Sequence, residues 1–573
     1  MKHLSVLHEA PRYDTVREYI MEAVEKFSEN RAFLLKTGEE KGKAHYRSVS
    51  YHGFLQDIRR LGAGLCRLGL QGKRIALIAE NSYGWILSYL SILCGVGIIV
   101  PLDKELSPWE IRLSLERSRA DAVIFDEKHK DFFLELAEDK TLPLQGCFSM
   151  EKMAPHIQSL GEVSELGAMA LKENDPSFDT YNPDPHAMAT IIFTSGTTSA
   201  SKAVMLSNRN IATNLHDLLS TETILPQDRN LVFLPLHHTF GSVGLVYFLC
   251  CGCTNMFCDG LRYVQKNLKE YKITTFVCVP LLLEVMYRNI WRGIEKKGME
   301  KTVNNALKLS ENLLKMGIDV RRKLFARVLE ELGGELRFII SGASAIDRRV
   351  AKGFNDFGIL TVQGYGLTET SPVLTAENTK DMRLGSVGKA FPSVELEIVS
   401  PDENGIGEIR AKGGNVMLGY YEMPAETNAV LQDGWFYTGD LGTIDEDGFV
   451  FITGRKKNVL VLKSGKNVYP EELEELLSKL PFVKEALVYG KEKDDDLLVA
   501  AKIVYDKDYF DATMPETEES ERALVMKDAV SQLNESLPGY QHIKHLSFQT
   551  TPFIKTATAK VKRFEEIKKD ENA

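Results

Sequence analysis

Apolar and polar positions alternate along this chain with two distinct periods. Val16, Ile20, Ala23, Val24 and Phe27 recur at helical spacing and predict an amphipathic helix over 13–28; Tyr51–Leu68 reads the same way. Between and after them lie short β-rich runs: Ala32–Leu35, Arg47–Ser50, Arg74–Ile78, Ile98–Leu102 and Ala122–Phe125. Helices are predicted from Ser82 and from Ser107. Strands that alternate with helices imply a parallel sheet with crossover helices. The alternation continues through Leu231–Leu234, Thr254–Met256, Thr275–Val279, Leu336–Ile340 and Leu360–Gln363. Ile290–Leu332 is highly charged at helical spacing and reads as one or two surface helices with a solvated face.

The character changes near Gly385. Gly388, Pro392, Pro401, Gly405 and Gly407 punctuate short alternating runs such as Val394–Val399 and Glu408–Ala411, which predicts antiparallel strands closing into a small barrel over about 385–450. Asp445–Gly448 resembles half a calcium loop but lacks the later ligand positions, so a hairpin turn is expected. A fresh α/β segment starts at Lys456. Pro470 with Glu471, Glu472 and Glu474 opens a helix, Ala486–Tyr489 and Leu497–Val504 are strand-like, and a helix is expected over 517–537. The predicted fold is therefore α/β: a large domain, 1–455, of doubly wound sheets plus the small barrel, and a smaller mobile α+β domain, 456–573.

Composition narrows the function. The 573 residues carry a formal net charge of −10, with 44% hydrophobic and 26% charged residues. No basic field is available to attract nucleic acid or an anionic membrane surface. Eight cysteines are too sparse for a disulfide scaffold. Cys250, Cys251, Cys253, Cys258 and Cys278 sit among apolar residues, so buried thiols are expected in preference to a zinc site. The N-terminus has no signal pattern, and Trp85–Val100 is too short to span a membrane, so it reads as a buried helix running into a strand. A soluble, cytoplasmic chain is expected, with transient membrane contact left open.

The chemistry centres on Ala189–Val204, read as ATIIFTSGTTSASKAV. A buried strand, Ile191 to Phe193, runs into a small hydroxyl-rich loop: Thr194, Ser195, Gly196, Thr197, Thr198 and Ser199, followed by Lys202. Hydroxyls, converging backbone N–H groups and a nearby cation suit a polyphosphate. The spacing differs from G-x-x-x-x-G-K-[ST], so it is not a Walker A loop. Taken alone, the stretch is equally compatible with an ordinary Ser/Thr-rich turn.

Other motifs decide between those readings. The ordered set TSGTTSASKA (194–203), LPLHHTFG (234–241), SGASAI (341–346), QGYGLTET (363–370), YTGD (437–440), GRKKNVLVLKSGKNVYPEELE (454–474) and KTATAKVKR (555–563) resembles the AMP-forming acyl-CoA synthetases of the adenylate-forming superfamily. The resemblance spans roughly the last two-thirds of the chain. It implies two half-reactions: a carboxylate attacks the α-phosphorus of ATP, giving an acyl-adenylate and pyrophosphate, and the thiol of coenzyme A then displaces AMP. The first step needs positioning and charge neutralisation at phosphorus.

The resemblance also implies roles. Thr194, Ser195, Gly196, Thr197, Thr198 and Lys202 would wrap the β- and γ-phosphates. Thr368 would bond the α-phosphate and Glu369 would hold Mg²⁺. Tyr365, between Gly364 and Gly366, would stack on adenine, with Gly342, Ala343 and Ser344 on its other side. Asp440 would take both ribose hydroxyls, with Arg455 at the ribose and phosphate. Lys560 would bridge the carboxylate and an α-phosphate oxygen, carried in by a C-terminal domain that swings about Lys457. Lys463, Gly465 and Lys466 would meet coenzyme A. His238 and Gly241 would flank the acyl pocket. Without the motifs, Glu369 would read as a surface carboxylate, Tyr365 and His238 as core, and Lys560 as a solvated lysine.

Several positions depart from the family pattern: Ser199 and Ala203 where glycine is usual, Ser201 where proline is usual, and Ala559 before the C-terminal lysine. A Cβ there restricts positive φ, yet no charged group is missing. The expected activity is formation of an acyl-CoA from a carboxylic acid, with a medium- or long-chain fatty acid favoured. The alternatives are transfer to an acyl carrier protein thiol and a non-adenylating, nucleotide-binding regulatory protein.

Overall fold

The computed structural model describes residues 2–40, 43–139, 142–155, 157–194, 201–463, 466–493, 496–555 and 561–571. Its contacts divide the chain into two units, the larger taking the described residues of Met1–Gly196, Ala200–Glu395 and Ala411–Phe436, the smaller those of Leu396–Arg410 and Tyr437–Ala573.

Two sheets organise the larger unit. One has nine strands, and its middle is parallel: Phe338–Ser341 runs between Thr275–Cys278 and Leu360–Gly366. These strands are near-continuous apolar runs because helices cover both faces. Their core holds Leu231, Phe276, Leu283, Ile339 and Phe354, all essentially buried. At its far edge Arg31–Glu40 and Lys43–Ser50 form a hairpin longer than the short strands expected from the sequence. Charged residues such as Lys36 and Glu39 broke the apolar alternation while the backbone pairing continued.

The other sheet has eight strands and contains Met188–Thr194, the strand expected ahead of the hydroxyl-rich loop. The structure adds a strand after the loop, Lys202–Ser207, paired antiparallel with it. The helix Tyr83–Gly95 is buried on nearly every side and leads into the strand Ile98–Pro101, as its composition predicts. Its start is fixed by Ser82, whose Oγ accepts from the Trp85 N–H. The charged stretch 290–332 divides further than expected: helices Pro280–Lys296 and Glu300–Lys315 are followed by short turns Arg321–Leu324 and Ala326–Glu330. Val303 and Phe325 anchor that group on a small core with Ile294 and Phe357.

In the smaller unit, residues 437–444, the greater part of the strand Trp435–Ile444, are what the others share. Val450–Arg455 pairs antiparallel along it, and the described pairings run as an open, branched path where a small barrel is expected. Ten residues of strand let different stretches of one edge take different partners. The turn at Asp445–Gly448 is a hairpin: Asp445 Oδ1 accepts from the Asp447 and Phe449 N–H groups, which occupies the carboxylate that a calcium site would need. Beyond it, Val483–Lys493, Asp496–Tyr505 and His545–Gln549 form a three-stranded sheet covered by helices Pro470–Ser478 and Glu519–Glu535.

Candidate active site

In the larger unit three segments meet around one tyrosine. Thr194 and Lys202 face each other across the base of the hairpin, and Thr194 Oγ1 donates to the Lys202 carbonyl at 3.3 Å. Gly419–Tyr420 adds to the outer edge of that hairpin, with Tyr420 opposite Val204 and therefore diagonal to Lys202. The Lys202 ammonium lies 4.5 Å from the centroid of the Tyr420 ring. The Tyr420 hydroxyl donates to Glu369 Oε1 at 2.9 Å, and the Met417 N–H donates to the Glu369 carbonyl at 2.8 Å. Cation and carboxylate thus meet the same side chain, one at the ring face and the other at the hydroxyl. Tyr420 was not among the residues singled out from the sequence. The hydrophobic run around it gave no sign that its hydroxyl faces a polar group.

The strand that carries Tyr365 is parallel to Phe338–Ser341, with Ser341 opposite Gln363. Gly342–Ser344 therefore follows one strand and Gly364–Gly366 ends its neighbour, both at the carboxyl ends, where open α/β sheets bind ligands. Ala343 takes a left-handed φ of 73°, a conformation that costs an alanine about 1–2 kcal/mol. The Gly342–Ser344 turn thus holds strain beside a half-buried tyrosine. Gly366 is fixed by close approach: a Cβ there would stand 1.8 Å from the Pro372 carbonyl oxygen. Thr368 and Glu369 follow in a single turn, Thr368–Thr370, whose last carbonyl accepts from Asn415 Nδ2 at 2.9 Å. Glu369 is held by a neutral hydroxyl, with Thr368 beside it. A lone carboxylate of this kind fits Mg²⁺, which takes one or two carboxylates and completes its shell with water and phosphate oxygens.

The hairpin has a further brace. Arg117 Nη2 donates to the Ser201 carbonyl at 2.8 Å and Nη1 to Ser201 Oγ at 3.4 Å, with the guanidinium over the Phe193 ring. Ser201, one of the departures from the family pattern, thus has a partner of its own. Ala203, another departure, is buried opposite Phe193, where the strand has no need of glycine. Ser195, Gly196, Thr197, Thr198, Ser199, Gly465, Ala559 and Lys560 lie outside the described residues.

His238 precedes the helix Thr239–Cys250 and accepts Gly241 and Ser242 N–H groups at its carbonyl, both at 3.0 Å. Its ring is 4.2 Å from that of His237. Burial pushes His237 down to about 3, so that imidazole stays neutral at physiological pH. Asn81 pins the preceding loop, donating to the Leu234 carbonyl and accepting from the Leu236 N–H. The space beside Gly241 is taken by the Pro235 carbonyl, 2.2 Å from where a Cβ would stand. None of the five cysteines in apolar surroundings is in a disulfide; Cys253 and Cys278 are buried, whereas Cys250, Cys251 and Cys258 are only half-buried.

The smaller unit brings two more of the expected residues together. Asp440 and Arg455 face each other across paired strands, and Arg455 Nε lies 2.7 Å from Asp440 Oδ1. Asp440 is nearly buried and its N–H donates to Thr438 Oγ1 at 3.1 Å. Lys457 falls in the turn Lys456–Asn458, flanked by Lys456, which pairs with Glu408 at 2.7 Å. Lys463 and Lys466 are exposed, and Lys466 reaches Glu403 at 3.0 Å.

Residues 21–421 match the model of the family described as AMP-binding enzyme, and 457–570 match the AMP-binding enzyme C-terminal domain. The long-chain-fatty-acid–CoA ligase FadD15 of Mycobacterium bovis is 30% identical over 481 residues, 79% of this chain and 76% of that protein. The chloroplastic long-chain-fatty-acid–[acyl-carrier-protein] ligase AEE15 of Arabidopsis thaliana is 28% identical over 557 residues, 84% of this chain and 75% of that protein. The fold is shared with ATP-bound MatB from Rhodopseudomonas palustris, at a TM-score of 0.74 and 24% identity over 97% of this chain and 100% of that one. The chain belongs to the AMP-binding enzyme family and is an acyl-CoA synthetase of the adenylate-forming type.

Proposed function

We propose that this enzyme activates a medium- or long-chain fatty acid with ATP, through an acyl-adenylate, and passes the acyl group to coenzyme A with release of AMP and pyrophosphate. The observation that carries this reading is the Lys202–Tyr420–Glu369 cluster, because one tyrosine at the hairpin contacts both a cation and a carboxylate suited to a metal. The fatty-acid substrate is supported by the relative named as a long-chain-fatty-acid–CoA ligase.

In this mechanism Lys202 and the hairpin hydroxyls hold the terminal phosphates. Thr368 donates to the α-phosphate, and Tyr365 stacks on adenine against Gly342–Ser344. Asp440 accepts both ribose hydroxyls, and Arg455 turns its remaining N–H groups to the ribose and phosphate. Glu369 is the Mg²⁺ ligand; when bound, the ion neutralises phosphate charge so that a carboxylate can approach. Lys560 donates to the developing charge between the carboxylate and α-phosphorus. The domain from Lys456 onward swings about Lys457, first presenting Lys560 and then the 461–467 segment, where Lys463 and Lys466 meet coenzyme A phosphates and Gly465 lets the pantetheine pass. Alternation keeps water from the adenylate.

A second acceptor is favoured by one observation. The Arabidopsis relative is named for transfer to an acyl carrier protein. The deciding experiment reads AMP and pyrophosphate release across an acid panel, then compares coenzyme A with phosphopantetheinylated carrier as acceptor. Thioester on coenzyme A with long-chain acids supports the proposal. Thioester only on the carrier replaces the acceptor, and no AMP release with any acid leaves the non-adenylating reading.

A further inference from the structure

The tip of the helix Glu300–Lys315 and the turn after it expose more apolar surface than any neighbouring stretch requires. Leu309 is 51% exposed, Leu314 41%, Met316 72%, Ile318 48% and Leu324 41%. One face of the same helix is accounted for along most of its length, because Val303 and Ser310 are buried and Ala306 and Leu307 pack on the Phe325–Phe357 cluster. Leu314 continues that face past the end of the cluster, and Leu309 lies about a third of a turn away from it, so the exposed side chains are those the cluster does not reach. Large apolar side chains grouped on a surface mark an interaction site.

Charge distinguishes the partner. From 301 to 327 the chain has seven Lys and Arg against two acidic residues, Glu311 and Asp319, whereas the protein as a whole carries −10. Arg321 is committed to Asp319 and the Asn355 carbonyl, and Arg322 to the Leu336 and Gly334 carbonyls. Lys308, Lys323 and Arg327 are exposed and form no ion pair among the described residues. Lys308 adjoins Leu309, and Lys323 adjoins Leu324. Long cationic side chains beside exposed Leu, Met and Ile are the arrangement by which a helix rests in a lipid interface: the apolar tips enter and the ammonium groups stay with the head groups.

We propose that the 308–327 tip docks this enzyme reversibly on an anionic lipid bilayer. Each cation near such a surface adds a screenable attraction, and one or two inserted side chains add the apolar part, so the attachment is weak and salt-sensitive. A second copy docking through the same surface is the poorer fit, since the two facing surfaces would be equally basic. No helix among the described residues is long and apolar enough to cross a membrane. The proposal goes beyond the fatty-acid reading and does not depend on it, because the readout is lipid binding.

The test is flotation of the full chain with vesicles of phosphatidylglycerol and phosphatidylcholine, with phosphatidylcholine alone, and with the mixed vesicles at about 1 M salt. Capture by the mixed vesicles only, at low salt only, is expected. Leu314→Asp/Met316→Asp and Lys308→Glu/Lys323→Glu should each lower capture by about tenfold or more while the thermal midpoint is kept. Equal capture by neutral vesicles, no capture at all, or undiminished capture of both variants overturns the proposal. So does light scattering that shows a lipid-independent dimer which either variant dissolves.

Discussion

The Tyr420 hydroxyl is hydrogen-bonded to Glu369 at 2.9 Å while the face of its ring lies 4.5 Å from the Lys202 ammonium. One side chain therefore positions the two groups assigned to the triphosphate and its cation. Tyr420→Phe keeps the ring and removes the bond to the carboxylate. A hydrogen bond to a charged group contributes about 1.5–3 kcal/mol, so the half-saturating Mg²⁺ concentration for AMP release should rise about ten- to a hundredfold. Tyr420→Leu, which also removes the cation contact, should raise KM for ATP as well. An unchanged Mg²⁺ dependence in the Phe variant would show that the tyrosine is only packing.

Asp440 and Arg455 are paired at 2.7 Å, with Asp440 nearly buried and the arginine side chain 37% exposed. Asp440→Ala removes the proposed ribose acceptor but leaves a cation that water can still reach. KM for ATP is expected to rise about ten- to a hundredfold, with kcat less affected. Loss of kcat at unchanged KM would contradict the ribose role.

Lys560→Ala separates the half-reactions. Acid-dependent AMP release should fall about a hundred- to a thousandfold, the scale of one lost charge-stabilising donor. Thioester formation from a supplied acyl-adenylate should persist. AMP release at the full rate in the variant would remove the lysine from the mechanism.

Gly366→Ala places a Cβ 1.8 Å from the Pro372 carbonyl. Backbone must move, at about 1–3 kcal/mol, and the Thr368–Glu369 turn moves with it. A lower thermal midpoint and reduced AMP release are expected together. Gly293→Ala is the control: nothing lies within 4 Å of its Cβ position, and it sits inside a helix, where alanine is favoured by up to about 1 kcal/mol.

A pair of buried carboxyls makes the larger unit sensitive to alkali. Burial pushes Glu377 up from 4.5 to about 7, against the Arg383 and Gln363 N–H groups it accepts. Burial likewise drives Glu222 well above its ordinary value, and the Glu377 charge adds to the shift. The folded state binds these protons more tightly than the unfolded state. The Glu377 contribution is complete below the unfolded value of 4.5 and is lost as pH rises through about 7; that of Glu222 is lost in the same direction, as pH rises above its ordinary value. Glu222→Gln should therefore reduce the fall in thermal midpoint between about pH 5 and pH 8. Parallel midpoint curves for wild type and variant would show that Glu222 plays no part.

Much of this enzyme is legible in its residue order. Apolar runs such as Ile191–Phe193 and Leu336–Ile340 read as strands, and both fall on strands of the sheets. The ordered motifs named the family, because each is a local pattern whose chemistry lies in the residue types themselves. What only the tertiary structure decided was which distant groups meet. Lys202 is followed by a strand and not by open loop, and that strand's outer edge takes Gly419–Tyr420, bringing a tyrosine from more than two hundred residues away onto the lysine and the carboxylate. Asp440 finds Arg455 only because two strands pair across a hairpin. Local spacing fixes helix and strand; long-range register is set by burial of whole faces, and no single stretch of sequence contains it.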